Sequence, residues 1–159
     1  MSSRSFYDLT SQVDEAKSYT QQFILWPRRW REYTQSHGWN SVQLDESKAN
    51  QIPYSPGVYT LVLEPGIAGH PSCCYLMYVG KAVSLRRRFR EYLGKEHRED
   101  GRPKIFYFLD RYDGYVCFCY TTVARAVLEN VEGGLMNAYT PPLNEQYRGE
   151  ISRIMRAFT

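Results

Sequence analysis

The sequence predicts a small α/β or α+β domain in which helices flank an antiparallel sheet. Two observations support this class: apolar residues recur with a helical period near both ends of the chain and with a period of two in its middle. The 159 residues and the 43% apolar share suffice for one domain of ordinary size. We expect a helical extension over residues 1–50, a main domain over 51–147 and a short basic tail over 148–159.

The N-terminal extension is predicted to contain two helices. Between residues 6 and 25, apolar positions follow one another at steps of three and four, which is the pattern of an amphipathic helix. Pro27 interrupts this pattern, and because proline is tolerated in a first helical turn, a second helix is expected from about Pro27 to Ser36. Residues 40–55 are polar and are expected to form a linker.

The main domain is expected to begin with a β-hairpin and a helix. GVYTLVLE and CCYLMYVG are β-type runs, and the intervening PGIAGHPS has the composition of a loop. In a symmetric hairpin Tyr59 lies opposite Tyr78, so that two phenols share one patch. The helix that follows has Ser84 as its expected N-cap and Gly94 as its stop.

Two further strands and a long helix complete the predicted architecture. KIFYFLD and GYVCFCYTT are the strand candidates, joined by an Asp-Gly turn. The last helix is expected to begin at residue 121 or 122 and to end at Tyr139. Gly133 and Gly134 lie inside it at a cost of about 1 kcal/mol each relative to alanine, so we expect another group to approach closely there.

Positive charge is concentrated after the hairpin. Between Lys81 and Arg98, seven basic residues stand against two acidic ones, a local charge of +5, whereas the whole chain carries +3. Such a stripe is typical of a surface that contacts a phosphate backbone. Helical periodicity places Arg88 at the margin of the buried arc beside Tyr92. The other arginines of this helix are predicted to contact nucleic acid or to form an ordinary charged surface: Arg86, Arg87 and Arg90.

Composition argues against several classes of protein. No apolar run approaches the roughly 18 residues of a membrane span, so none is expected. The first residues lack the apolar centre of a secretory signal, which favours a cytoplasmic location. The cysteines lack the spacing of a zinc site, and Gly80-Lys81 lacks the remaining residues of a nucleotide-binding P-loop.

The last helix contains a candidate metal ligand. Glu132 lies near the edge of the buried stripe beside two glycines, whereas Glu129 is turned further towards solvent. A carboxylate near a tyrosine pair and an arginine suits a hard divalent cation. The alternative for Glu132 is an ordinary boundary residue of an amphipathic helix.

Five short motifs occur in order between residues 56 and 145. They are Gly57-Val58-Tyr59, then Tyr78-Val79-Gly80, then Lys81-Ala82, then Arg88, and finally Glu132 followed by Leu135-Met136, Tyr139, Pro141 and Asn144. Together they resemble the GIY-YIG nuclease family. The YVGKA and ExxLMxxYxPxxN segments are most similar to the nuclease half of the bacterial excision-repair incision subunit. The wider spacing of the two tyrosines is closer to that of the small restriction-enzyme members.

The resemblance implies a divalent-metal-dependent DNA endonuclease that acts on phosphodiester bonds, with Mg²⁺ or Mn²⁺ as cofactor and double-stranded DNA as partner. It implies that Tyr59 is the general base, or part of the path that deprotonates water, and that Tyr78 orients water or phosphate. Arg88 would stabilise charge on the phosphoryl oxygens. Glu132 would hold the metal ion, which stabilises the leaving 3′ oxygen.

Further roles follow from the same resemblance. Because a phenol of pKa about 10 is scarcely ionised at neutral pH, Lys81 and Arg88 would be needed to favour the phenolate. Tyr92 occupies a position at which the family has Tyr or His, and it belongs to the predicted catalytic set. Asn144 is expected to brace the site, and Gly57 and Gly80 to support it.

An alternative function and the oligomeric state both stay open at this point. A non-cleaving nucleic-acid-binding or adaptor module could use the same fold, although such a module should have lost some of the residues expected for catalysis. A homodimer would supply the two active sites that cutting both strands requires, so it is a candidate assembly.

Overall fold

The computed structural model describes residues 6–94, 102–147 and 152. Its elements follow one another along the chain as helices α1 (Phe6–Ser18) and α2 (Pro27–Glu32), strand β1 (Asn40–Gln43), a 3₁₀ turn (Glu46–Gln51), strand β2 (Gly57–Leu63), a 3₁₀ turn (Ile67–Gly69), strand β3 (Tyr75–Ala82), helices α3 (Leu85–Leu93) and α4 (Pro103–Arg111), strand β4 (Val116–Thr122), a 3₁₀ turn (Arg125–Val127) and helix α5 (Leu128–Tyr139).

The four strands form one antiparallel sheet in the order β1-β4-β2-β3, and helices cover both of its faces. Side chains of α3 and α4 pack on the face that carries Tyr59 and Phe118. Side chains of α5 pack on the opposite face, against Val58 and Val79. Because both faces are covered, the central strand β2 is buried along its whole length. The predicted fold class, an antiparallel sheet flanked by helices, is confirmed.

The predicted hairpin is present, but its register differs from the symmetric one. Tyr59 pairs with Gly80, and Leu61 pairs with Tyr78, so the prediction that the two tyrosines face each other directly is wrong by two residues. The register also shifts between Leu61 and Val62, a bulge for which a symmetric hairpin does not allow. A shift of two residues keeps side chains on the same face, and the two tyrosine rings remain neighbours with centroids 6.1 Å apart.

Helix α3 follows the predicted boundaries. The hydroxyl of Ser84 accepts a hydrogen bond from the backbone N–H of Arg87, and the helix ends before Gly94. Leu85, Phe89 and Tyr92 are its buried residues. The short loop from β3 therefore delivers α3 directly onto the tyrosine face of the sheet.

The segment KIFYFLD forms helix α4, so the predicted strand is wrong. Pro103 lies in its first turn, where the missing N–H removes no helical hydrogen bond. Ile105, Phe106 and Phe108 are buried against the sheet. Aromatic and β-branched residues favour strands in general, but here the packing of one apolar helical face prevails over that preference.

Residues 40–55 are not a linker, contrary to the prediction. Strand β1 pairs with β4 at the edge of the sheet. The 3₁₀ turn that follows is capped by Asp45, whose carboxylate accepts a hydrogen bond from the backbone N–H of Ser47 at 2.9 Å. Three of the four β1 residues are exposed, which explains why their sequence lacks a clear apolar pattern.

The last helix is shorter than predicted at its start. Strand β4 continues to Thr122, which pairs with Gly57, and α5 begins only at Leu128. Its end at Tyr139 agrees with the prediction, and Thr140 closes it in a left-handed conformation with φ 44°. The buried residues of α5 are Leu128, Val131, Leu135 and Ala138, which recur at steps of three and four and so lie on one face of the helix.

The N-terminal segment packs against α5. Both of its helices end earlier than predicted, α1 at Ser18 and α2 at Glu32. A β-carbon at Gly134 would lie 2.6 Å from the ring of Tyr33, so the predicted close approach exists at this glycine. Gly133 has open space around it. Within residues 6–94 and 102–147, no helix combines the length and apolar character that crossing a membrane requires.

Candidate active site

Two glycines let the hairpin hold its tyrosines. A β-carbon at Gly80 would lie 2.5 Å from the ring of Tyr59 and 2.8 Å from that of Tyr78. A β-carbon at Gly57 would collide with the carbonyl oxygen of Thr121 and with the side chain of Leu85. Any larger residue at either position would displace a strand, a ring or helix α3.

Three tyrosines form a cluster between the sheet and α3. The hydroxyls of Tyr59 and Tyr92 are hydrogen-bonded at 2.7 Å. The Tyr59 ring also stacks on Phe118 with centroids 4.9 Å apart, and it is fully buried. Tyr92 is 6% exposed, whereas Tyr78 is only partly buried. Tyr78 is therefore the member of the cluster that reaches the surface.

A cleft of about 600 Å³ opens at the β3 edge of the sheet. Its walls come from β3, the start of α4, α5 and residues 143–147. The charged and polar side chains that line it include Tyr78, Lys81, Arg102, Glu132 and Asn144. The fold thus brings three predicted catalytic residues from the hairpin and from the last helix into one cavity.

Lys81 and Glu132 form an ion pair within this cleft. The Lys81 ammonium lies 2.9 Å from the Glu132 carboxylate and 3.1 Å from that of Glu129. The hydrogen bond to Glu132 raises the pKa of Lys81, so the ammonium is charged at neutral pH. The Glu132 side chain is 17% exposed and that of Glu129 is 67% exposed, which agrees with their predicted positions on the helix.

Asn144 binds the backbone of the edge strand. Its side-chain oxygen accepts the N–H of Val79 at 2.9 Å, and its amide nitrogen donates to the Val79 carbonyl at 2.8 Å. The next residue back, Leu143, donates its N–H to the carbonyl of Met77. This pairing covers the exposed edge of β3 and holds Tyr78 between two anchored neighbours.

The curated proteins to which this chain is similar share one name. No family model matches the chain. It is 44% identical over 50 residues to UvrABC system protein C of Geobacter metallireducens, a match that covers 31% of this chain and 7% of that protein. It is 29% identical over 99 residues to UvrABC system protein C of Thermoanaerobacter pseudethanolicus, covering 62% of this chain and 14% of that protein. The matched segment is thus a small part of these relatives' length.

Solved structures of one domain are also similar. One is a point-mutant form of the GIY-YIG N-terminal endonuclease domain of UvrC from Thermotoga maritima, bound to its catalytic divalent cation. It is 20% identical to this chain, with a TM-score of 0.44. The match covers 63% of this chain and 93% of that one. The magnesium-bound form is 24% identical, with a TM-score of 0.43 and coverage of 62% and 92%. The predicted resemblance to the GIY-YIG nucleases is confirmed.

The arginine of the predicted motif set, Arg88, is not among the described residues that line the cleft. Its guanidinium is 2.7 Å from the carboxylate of Glu91 on the same helix. Its Nε is buried and has no hydrogen-bond partner among the described residues. The positive charge of Arg88 lowers the pKa of Tyr59 and of Tyr78, but for neither tyrosine is this the largest effect.

The three clustered tyrosines stay neutral phenols at pH 7, contrary to the prediction that cations would favour the phenolate. Burial raises the pKa of Tyr59 well above its usual value of 10.0, and the neighbouring Tyr92 and Tyr78 raise it further. Burial also raises the pKa of Tyr78, and it raises that of Tyr92 to about 12. Burial prevails because it penalises the charged form of each phenol more than the nearby arginines stabilise it; these are Arg88 for Tyr59, and Arg102 with Arg88 for Tyr78 and Tyr92.

Arg102 lines the cleft although none of the predicted motifs includes it. It directly precedes α4, and its Nη1 lies 3.5 Å from the hydroxyls of Tyr78 and of Tyr92. A sequence signal exists in the Arg-Pro pair at the start of α4, because proline in a first turn marks a helix N-terminus. The prediction of a strand for this segment concealed that signal.

The arginines predicted to contact nucleic acid differ in their surroundings. Arg86 donates to the carbonyl of Ile52 at 2.5 Å and to that of Asn50 at 3.0 Å, so it ties α3 to the preceding 3₁₀ turn. Arg87 is exposed and pairs with Glu91 at 3.1 Å, and Arg90 is exposed. The rest of the basic stripe, Lys95 and Arg98, lies outside the described residues.

Glu132 is the described residue best suited to hold a divalent cation in the cleft. The described residues contain no group of three or more His, Cys, Asp and Glu side chains that could form a complete metal cage. Mg²⁺ does not require one, since it commonly binds one or two carboxylates and completes its shell with water and substrate phosphate. A largely buried carboxylate that opens on a cleft fits this mode, and Mn²⁺ accepts the same oxygen ligands.

Proposed function

We propose that this chain is a divalent-metal-dependent DNA endonuclease that hydrolyses phosphodiester bonds. The observation that carries the proposal is the cleft itself, in which Tyr78, Lys81 and Glu132 meet above a buried Tyr59–Tyr92 pair. The names of the similar proteins, UvrABC system protein C and the GIY-YIG N-terminal endonuclease domain of UvrC, support the same activity.

The charges around the cleft favour a polyanionic substrate. Lys81, Arg102 and Lys104 line it, and the exposed Arg87 and Arg90 extend positive charge along α3. Phosphate contacts by such groups position a nucleic acid without reading its sequence. We assign double-stranded DNA as the substrate, and cutting both of its strands would call for the two sites that a homodimer supplies.

Hydrolysis forms a bond from water oxygen to phosphorus and breaks the bond from phosphorus to the 3′ oxygen. Water loses a proton, and the 3′ oxygen gains one. Tyr78 lines the cleft and is therefore placed to accept a hydrogen bond from the attacking water. We keep the predicted role of Tyr78, which orients the water, and give Tyr59 a supporting role: it is fully buried, and its hydroxyl is hydrogen-bonded to that of Tyr92.

Glu132 would hold the cation, and Lys81 must then share or release that carboxylate. A bound divalent cation supplies Lewis-acid stabilisation of the leaving 3′ oxygen. Lys81 also has Glu129 as an acceptor, so its ammonium can remain at the cleft when Glu132 has another partner. Arg88 stabilises the negative charge that develops near the tyrosines through its field.

The test is incubation of the purified protein with defined duplex, branched and single-stranded DNA, with and without Mg²⁺ or Mn²⁺. Glu132→Gln and Arg88→Ala should remain folded and lose cleavage by about a hundredfold or more. Glu64→Gln makes the same charge change at an exposed site at the end of β2, and it should cleave like the wild type. Unimpaired cleavage by both site variants contradicts the assignment. A folded wild type that binds DNA without cutting any substrate supports the non-cleaving module instead.

A further inference from the structure

Arg102 stands where the cleft, the buried phenols and the start of α4 meet. It lines the cleft, and one terminal nitrogen contacts the hydroxyls of both Tyr78 and Tyr92 at 3.5 Å. Arg88, to which the motif pattern assigns the phosphoryl charge, is bound by Glu91 and is not among the described residues that line the cleft. The arginine closest to a substrate in the cleft is therefore Arg102.

The other cations of the cleft have carboxylate partners. Lys81 pairs with Glu132, and Lys104 pairs with Glu145 at 2.6 Å. Within residues 6–94 and 102–147, Arg102 forms hydrogen bonds to neutral hydroxyls and forms no ion pair with a carboxylate. Phenols do not neutralise a guanidinium, so its positive charge remains available to an anion at the cleft.

The guanidinium also has the geometry that a phosphate requires. It presents five N–H donors in a planar fork, and the two long contacts to phenols involve a single nitrogen. A fork of this kind donates two parallel hydrogen bonds to a phosphate group, which a lysine does not reproduce. The remaining donors of Arg102 suffice for such a pair.

We propose that Arg102 is a second catalytic arginine, whose guanidinium contacts the scissile phosphate while it holds the hydroxyl of Tyr78. The proposal rests on the proposed nuclease function and deepens it. One side chain then sets the distance between the phosphate and the phenol that faces the attacking water. Arg88 acts instead on the buried Tyr59 and Tyr92, through its positive charge.

Kinetics on the intact chain give the first test. Arg102→Ala should lower kcat by about a hundredfold with a smaller change in KM, because the contact strengthens as charge develops on the phosphoryl oxygens. Arg102→Lys keeps the charge without the fork and should recover part of that loss. Arg111→Gln removes an arginine from the other end of α4, outside the cleft, and should leave kcat close to that of the wild type.

Phosphate binding gives a second test that needs no cleavage. In metal-free buffer, the side-chain N–H signal of Arg102, assigned by its loss in Arg102→Lys, should shift when inorganic phosphate or a short DNA duplex is added. If the wild type cuts no DNA but this signal shifts, the nuclease function fails while the phosphate site stands. If it does not shift, the proposal is overturned, even where Arg102→Ala and Arg102→Lys lose activity and thermal stability together.

Discussion

At the scale of single residues, burial governs the chemistry of the site. Tyr59 and Tyr92 share a hydrogen bond inside the domain, and water reaches the cluster mainly at Tyr78. A buried phenol resists ionisation, so the cluster contributes neutral hydroxyls that orient other groups. This explains why the residue type at each motif position could be predicted while its protonation state could not.

The ionisation of Tyr92 predicts a loss of stability in alkali. Its pKa is 10.0 when exposed in the unfolded chain and about 12 in the folded protein. Below pH 10 both states are protonated and the folded state keeps its full stability; between pH 10 and 12 the unfolded state ionises first, and folding loses on the order of 2 kcal/mol.

Urea unfolding at a series of pH values measures this loss. Tyr92→Phe removes the titrating group, so its stability should fall less steeply over the same interval. Tyr115→Phe changes an exposed tyrosine and should retain the wild-type slope. Equal slopes in the wild type and Tyr92→Phe would falsify the link between burial and alkaline instability.

At the scale of elements, a single amide anchors the edge of the sheet. Asn144 satisfies both backbone groups of Val79, which would otherwise lie buried without partners. Removing the amide leaves two unsatisfied groups, each worth about 1–3 kcal/mol. Val79 directly follows Tyr78, so a loose edge also displaces the phenol at the cleft.

Asn144→Ala should therefore lose about 3 kcal/mol of unfolding free energy, measured by denaturant titration. The amide of Val79 should exchange with deuterium faster than in the wild type, whereas the central strand β2 keeps its protection. Gln146→Ala truncates an exposed amide in the same segment and should change stability by less than about 0.5 kcal/mol. Unchanged exchange at Val79 in Asn144→Ala would show that another group holds the edge.

At the scale of the whole molecule, the N-terminal segment contacts helices α4 and α5 of the main domain. Tyr33 lies against Gly134 of α5, and the hydroxyl of Thr140 donates to the carbonyl of Ile24. Arg111 of α4 donates to the carbonyl of Ser18 at 2.5 Å. The segment thus spans from α4 to α5, and α5 carries Glu132 on its other side.

The adjacent glycines of α5 provide a matched pair to test this contact. Gly134→Ala places a methyl group against the Tyr33 ring and should destabilise the protein by about 1–3 kcal/mol. Gly133→Ala meets open space and should stabilise it by up to about 1 kcal/mol through helix propensity. Thermal unfolding of the two variants measures these opposite changes in stability. Stabilisation by both substitutions would show that the N-terminal segment does not pack on α5 in solution.

The sequence by itself determined the features that depend on local pattern. Ser84, the apolar arc of α3 and Gly94 specify a capped helix within about ten residues, and the alternation around Tyr59 specifies a strand. The motif residues were also predictable, because their order along the chain is itself the signal. These features needed no knowledge of distant contacts.

Tertiary structure decided the features that arise from contacts between distant segments. The bulge after Leu61 set the hairpin register, and packing on the sheet made KIFYFLD a helix. The position of Arg102 beside Tyr78 and Tyr92 exists only once α4 is in place. The raised pKa of each phenol has the same origin, since burial is a property of the assembled core and the desolvation it imposes cannot be computed from neighbours in the chain.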